Sequence, residues 1–251
     1  MSSARRAPLA ERVALVTGAG RGIGRATALA LAEAGAWVAL LDRDGKAATA
    51  AARQIEDATG RCVLPVQADV TMPTQVRRAV RRTVGRLGRL DILVNNAGVW
   101  AHGHLGEIRA RDWDRVLAVN LKGLLLCTQE VLPHMRRQKA GKIVNMASAA
   151  GLGPVPAWTA YCISKAGAIM LSRVAAEELR SDGIQVHCLC PGAVHTDLVR
   201  RITARTGDRF PHAMDPAQVA AAVVGLVTPF RSRETGRIVQ LAAGVSTEVV
   251  P

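Results

Sequence analysis

Tyr161 and Lys165 stand four residues apart, so on a helix they share one face and their side chains converge. A phenol is a poor base near neutral pH, because its ordinary pKa is about 10, and a neighbouring ammonium favours the phenolate. Ser148 follows a strand-like run where the chain opens into Ala149-Ala150-Gly151. Asn120 interrupts an apolar helical stretch, where a polar side chain is costly unless it is satisfied. Tyr-x-x-x-Lys is common in exposed helices, so its force comes from what accompanies it.

What accompanies it is a nucleotide pattern. The first apolar run leads into Thr17-Gly18-Ala19-Gly20-Arg21-Gly22-Ile23-Gly24 and then into a helical stretch. Glycines let a turn lie close to a pyrophosphate, and the following helix N-terminus offers free N–H groups and partial positive charge. Asp42 ends the second apolar run 20 residues after Gly22, the spacing at which a carboxylate accepts from an adenosine ribose. It repels a 2′-phosphate, so NAD is expected over NADP, although Arg21 and Arg43 are groups able to hold that phosphate. Asp69 and Val70 follow the third strand-like run, at the edge where nucleotides bind; the alternative for Asp69 is a turn cap. Asn96, Ala97 and Gly98 follow the fourth, and their small size allows close approach to a cofactor. A bound, positively charged nicotinamide would add to the ammonium in favouring the Tyr161 phenolate.

Seven strands are expected to position these groups: Val13–Thr17, Trp37–Asp42, Cys62–Gln67, Ile92–Asn95, Lys142–Ala147, Gln185–Cys190 and Arg237–Leu241. Between them the pattern predicts helices at Ile23–Ala34, Lys46–Ala58, Thr74–Leu87, Asp112–Gln138, Thr159–Asp182 and Pro216–Val227, the last with Asp215 as N-cap and Pro216 at the first position. The alternation implies an α/β fold with a mostly parallel, doubly wound sheet and helices on both faces. No linker or repeat divides the 251 residues, so one domain is expected. Residues 1–11 form an N-terminal extension, and Leu198–Met214, with four arginines, Gly207 and Pro211, reads as an irregular flap over the site.

With 49% hydrophobic and 21% charged residues, the chain is not a disordered polymer, and at 3% aromatics its core must be aliphatic. The best apolar stretch, Ala26–Leu41, contains Glu33 and is too short to span a bilayer, so no membrane segment is expected. No signal-peptide cleavage pattern is found, and a cytoplasmic protein is expected. The formal charge of +13 raises nucleic acid as a partner, but all but five of the 33 basic residues are arginines scattered along the chain, and the densest stretch, Arg77–Arg89, reads as a solvated helix face. No nucleic-acid partner is expected. The five cysteines show no C-x-x-C or zinc spacing and read as buried free thiols, with Cys188 and Cys190 on one strand face. No metal site is expected.

Taken together, Thr17–Gly24, Asn95–Gly98, Ser148, Tyr161-x-x-x-Lys165, and Pro191-Gly192 followed by Thr196-Asp197 make the sequence resemble the short-chain dehydrogenase/reductase family, from about Val13 to about Gly244. The resemblance implies a Rossmann fold and an oxidoreductase that moves a hydride between NAD(H) and a secondary alcohol or ketone. It also implies a catalytic tetrad: Tyr161 exchanges the proton, Ser148 bonds the same oxygen, Lys165 lowers the tyrosine pKa and binds the nicotinamide ribose, and Asn120 holds a water. Cofactor contacts are implied at Gly18, Gly20, Arg21, Gly22, Ile23, Gly24, Asp42, Arg43, Asp69, Val70, Asn96, Ala97, Gly98, Tyr161, Lys165, Pro191, Gly192, Val194 and Thr196, whereas His195 is expected to face solvent. The family's usual Gly-Gly near the C-terminus is Ala243-Gly244 here. A homo-oligomer is implied, commonly a tetramer packed through the two long helices and the last strand. The alternatives are an NADPH-dependent 3-oxoacyl-carrier-protein reductase and a non-catalytic dinucleotide-binding sensor or scaffold. Candidate substrate contacts are Trp100, His102, His104, Gly151–Trp158 and the flap.

Overall fold

Alternate residues of each central strand serve opposite faces of the sheet, and both sets are apolar, as a strand covered on both sides requires. Ala14 and Val16 of the first strand join Leu31, Ala52, Val219 and Val223 in one core, whereas Val13 and Leu15 join Val76, Val80, Val131 and Met135 in the other. The computed structural model describes residues 7–228, 230, 232–242 and 245–248. Its strands are β1 (Val13–Thr17), β2 (Trp37–Asp42), β3 (Val63–Gln67), β4 (Ile92–Asn95), β5 (Gly141–Met146), β6 (Ile184–Pro191), β7 (Ile238–Ala242) and β8 (Val245–Glu248), in the spatial order β3-β2-β1-β4-β5-β6-β7-β8. The first seven are parallel. The order in which successive strands are added to the sheet reverses between β1 and β4, and there the carboxyl ends leave a crevice for a nucleotide.

The helices are α1 (Gly22–Glu33), α2 (Gly45–Thr59), α3 (Pro73–Leu87), α4 (Ala110–Leu117), α5 (Gly123–Gln138), α6 (Thr159–Glu178), α7 (Asp197–Thr206) and α8 (Pro216–Val227). The two cores place α1, α2 and α8 on one face and α3, α5 and α6 on the other. α8 starts as expected, with the Asp215 carboxylate accepting from Ala217 N and Gln218 returning a bond to the Asp215 amide. Arg77, Arg78, Arg81, Arg82 and Arg86 of α3 are exposed, with Arg77 paired to Glu130.

Four expectations need correction. The sheet has eight strands, because the four-residue β8 pairs antiparallel on the edge of β7. The single helix expected over Asp112–Gln138 is α4, a π-helical turn at Ala118–Lys122, and α5. Leu198–Met214 is not irregular throughout: Thr196 caps α7 by accepting from Val199 N at 3.3 Å, and the irregular part begins at Gly207. Cys62 is exposed and Cys162 half-buried, so only Cys127, Cys188 and Cys190 are buried thiols. In addition, the composite Ala110–Gln138 is long and apolar enough to cross a membrane by length and composition alone. Cys127, Val131 and Met135 are committed to the second core and Leu124 and Val116 to smaller apolar clusters, and Leu125 with Met170 and Val174 of α6 borders an apolar surface groove. Ala243-Gly244 lies outside the described residues.

At the opposite, amino edge of the sheet, Lys142, Gln185 and His187 are buried on β5 and β6. The register sets His187 beside Val144 and Lys142 beside Gln185, so all four share the sheet face that carries Val144 and Leu189 against α8. Both His187 ring nitrogens, Gln185 Oε1 and Thr228 Oγ1 are buried without a hydrogen-bond partner among the described residues, and Arg237 Nε meets only the Glu234 and Glu248 carboxylates, at 3.5 and 3.4 Å.

Candidate active site

The glycine turn is shaped by close approach. A Cβ at Gly24 would collide with the Gly18 carbonyl and the Asn96 amide, and one at Gly20 would stand 2.9 Å from Ala47 Cβ and 3.0 Å from Asp42 Oδ2. Gly18 and Gly22 adopt φ of 63° and 55°, the left-handed region that favours glycine. α1 is left open for an anion: Arg21, its N-cap, gives the first-turn amides no side-chain bond, and no carboxylate occupies that turn. Ile23 packs into the first core. These features fit a pyrophosphate at the head of α1.

Several residues expected to touch a cofactor are first tied to backbone. Asn96 Nδ2 donates to the carbonyls of Thr17 at 2.9 Å and Gly18 at 3.1 Å, bracing the glycine turn. Asp42 Oδ2 accepts from Gly20 N at 2.9 Å and its Oδ1 from Asp44 N at 3.0 Å, so its buried carboxylate retains only its remaining lone pairs for a ribose. Asp69 Oδ1 accepts from the Thr71 amide and hydroxyl, which is the turn-cap reading; Val70 packs where a Cβ on Gly123 would meet it. Exposed Arg21 pairs with Asp44 at 3.5 Å and Asp197 at 3.9 Å, linking the glycine turn to the start of α7. Arg43 borders a surface groove with Lys46, Arg53 and Arg82. Thr17, for which the motif alone implies no role, accepts at its hydroxyl from the amides of Asn96 at 2.9 Å and Ala97 at 3.0 Å.

The structure brings the four residues of the expected tetrad together. α6 carries Tyr161 and Lys165, and Ser148 precedes a single 3₁₀ turn at Ala149–Gly151 that packs on α6 so closely that a Cβ at Gly151 would lie 2.7 Å from Lys165 C. Burial pushes the Tyr161 phenol up to about 12, with the Ser148 hydroxyl bond pulling the other way. Without a bound nicotinamide, burial thus outweighs the lowering expected at this phenol. Lys165 Nζ donates to Met146 O at 2.7 Å, sits 5.6 Å from the tyrosine ring centroid, and is itself driven down to about 8 by desolvation. The Ser148 hydroxyl also accepts from Ala150 N at 3.2 Å and makes a long 3.4 Å bond to Pro191 O.

Asn120 lies in the π-helical turn and is 2% exposed. Its amide makes a two-way bridge to Val99, accepting from N at 2.8 Å and donating to O at 2.9 Å, and it also donates to Ser164 Oγ at 3.0 Å. Ser164 in turn donates to Tyr161 O at 2.8 Å, a link visible only in the fold although Ser164 sits between the two motif residues. A Cβ on Gly98 would stand 3.6 Å from both Asn120 Oδ1 and Lys165 Nζ, so the bare glycine opens a space onto these groups. Gly192 N donates to Leu241 O, Val194 is buried against Met214, and the Thr196 hydroxyl is engaged in the α7 cap while its methyl faces Gly22. His195 is exposed.

This assembly, with a crevice at the switch point, a glycine turn and a buried Tyr–Lys pair, is that of a dinucleotide-dependent oxidoreductase. The profile of the family described as short chain dehydrogenase matches residues 12–207, and the chain belongs to that family. It is 44% identical to the (2S)-[(R)-hydroxy(phenyl)methyl]succinyl-CoA dehydrogenase subunit BbsD of Thauera aromatica over 74% of this chain and 75% of that protein. It is 34% identical to the 3-oxoacyl-[acyl-carrier-protein] reductase FabG of Thermotoga maritima over 93% of this chain and 97% of that protein. Among solved structures, NAD+-bound xylitol dehydrogenase aligns with a TM-score of 0.88 and 31% identity, covering 94% of this chain and 99% of that one. The chain is accordingly an oxidoreductase acting on alcohol or carbonyl groups.

Proposed function

We propose that the protein interconverts a secondary alcohol and a ketone with NAD(H), using Tyr161 as general acid and base. The observation that carries this reading is the convergence of Tyr161, Ser148 and Lys165 around one buried phenol. The nicotinamide, when bound, supplies or takes the hydride. In the reducing direction Tyr161 is a protonated phenol at neutral pH and gives its proton to the carbonyl oxygen, which the Ser148 hydroxyl also bonds after leaving its long contact with Pro191. Lys165 offers its remaining N–H bonds to the nicotinamide ribose. Asn120 holds Val99 and Ser164 in place, and the free lone pair on its Oδ1 is where a relay water would bond.

In this reading Gly18, Gly20, Gly22 and Gly24 with the head of α1 take the pyrophosphate, and Asp42 the adenosine ribose. Ala97 and Gly98 flank the nicotinamide ribose, and Pro191, Gly192, Val194 and Thr196 lie along the carboxamide. Asp42 supports NAD through its charge. The names of the FabG relatives support the second reading, an NADPH-dependent 3-oxoacyl-carrier-protein reductase. A homo-oligomer in the cytoplasm belongs to the same proposal, and the apolar groove that α6 forms with α4, the π-helical turn and Leu125 of α5 supports packing of copies there.

The test is purified protein against secondary alcohols with NAD and NADP in parallel, and against a 3-oxoacyl thioester with NADPH. Turnover with NAD, lost by at least a thousandfold in Tyr161→Phe while NADH still binds, is expected. Substantial residual activity in that variant refutes the role of Tyr161, and turnover confined to the thioester with NADPH favours the second reading.

A further inference from the structure

From the rings bordering Tyr161 we infer that the substrate carries an aromatic ring beside its reacting carbon, a conclusion that rests on Tyr161 being the acid and base. An unbroken series of tilted and edge-to-face contacts leads away from the phenol. Trp158 meets the Tyr161 ring at 5.7 Å and 82°, Trp100 meets Trp158 at 5.6 Å and 72°, and His102 meets Trp100 at 5.9 Å. The protein has only seven Phe, Trp and Tyr residues, and three of them are in this series. The apolar cores do not account for the two tryptophans. Trp37 and Trp113 join apolar cores, whereas Trp100 and Trp158 join none and remain half-buried.

The two loops that carry the tryptophans are locked together at a cost to stability. Gly103 bridges to Trp158, its amide donates to Ala157 O at 2.8 Å, and Thr159 Oγ1 donates back to Gly103 O at 3.3 Å. Ala157, just before Trp158, is held at φ 63°, a left-handed conformation that a residue with a Cβ disfavours. The Trp100 indole N–H is buried with no acceptor among the described residues. Strain and an unpaired donor around two rings excluded from the core mark a wall fixed in advance for something it receives. Such rings recognise a partner with the matching quadrupole through edge-to-face geometry, which a saturated ring of equal size lacks.

Racemic 1-phenylethanol and 1-cyclohexylethanol isolate that difference. The wild-type enzyme with NAD is expected to favour the phenyl alcohol by about threefold to tenfold in kcat/KM. Trp158→Leu and, separately, Trp100→Leu keep an apolar wall and are expected to bring the ratio close to one. Calorimetric binding of acetophenone and cyclohexyl methyl ketone to the Tyr161→Phe protein with NADH reads the same preference without turnover. It therefore tests the wall even if the assignment of Tyr161 fails. A wild-type ratio near one in both measurements, or a preference unchanged in both tryptophan variants, overturns the inference.

Discussion

Acid should destabilise this protein through one ring, His187. Desolvation, with Lys142 and Arg237 nearby, drives its pKa from 6.5 to about 4, and neither ring nitrogen has a partner among the described residues. Because the folded pKa lies below the unfolded one, the unfolded chain binds the extra proton between these values, and stability rises with pH across that window. The contribution is intact above pH 6.5 and is lost as pH falls towards 4. Relative to pH 7, the linkage relation gives a loss of roughly 1 kcal/mol at pH 5.5 and roughly 2 kcal/mol at pH 4.5. His187→Leu removes the titration together with two unpaired nitrogens. Urea unfolding of wild type and variant at pH 7.0, 5.5 and 4.5, at one protein concentration, yields the difference directly, and carboxylates common to both cancel. The variant is expected to gain on the wild type by those amounts relative to pH 7. A stability gap that stays constant across the three pH values would show that His187 is solvated or paired in solution.

Two substitutions probe the dinucleotide crevice. Asp42→Asn keeps an acceptor for Gly20 N or Asp44 N but removes the charge, so the ratio of NADPH to NADH affinity is expected to rise about tenfold to a hundredfold; an unchanged ratio in binding titrations would remove Asp42 as the selector. Gly24→Ala forces a methyl onto the Gly18 carbonyl and the Asn96 amide, and a loss of NADH affinity of at least tenfold is expected by titration, with a lowered melting temperature. Wild-type affinity in that variant would show that the turn relaxes freely.

Most of the scaffold was legible because parallel strands buried on both faces leave long apolar runs, and all seven predicted strands lie within two residues of those found. β8 escaped because four residues on an edge carry little periodic signal. The π-helical turn escaped because periodicity cannot register one extra residue in a long helix, although Asn120 amid apolar neighbours was its trace. α7 was hidden by Gly207 and Pro211 further along, while the Thr196 cap and the Leu198, Val199, Ile202 spacing were signals of a helix. Residue types in the site were readable from motifs; hydrogen bonds were not, since Ser164, Met146 O and Val99 join it only through contacts between distant segments.

Those bonds divide the site's polar groups into two kinds. Asn96, Asn120, Asp69 and Thr196 spend most of their hydrogen-bonding capacity on backbone, fixing the glycine turn, the loop after β4, the loop after β3 and the start of α7. Tyr161, Ser148 and Lys165 keep capacity for a ligand, and the open head of α1 offers backbone amides to a phosphate. Two of the braced segments abut groups that the proposed function uses: Asn120 reaches the Tyr161 backbone through Ser164, and Asn96 packs where a Cβ on Gly24 would stand. Orientation is thereby fixed during folding rather than at the moment of reaction, which is how a site lowers the entropic part of its barrier.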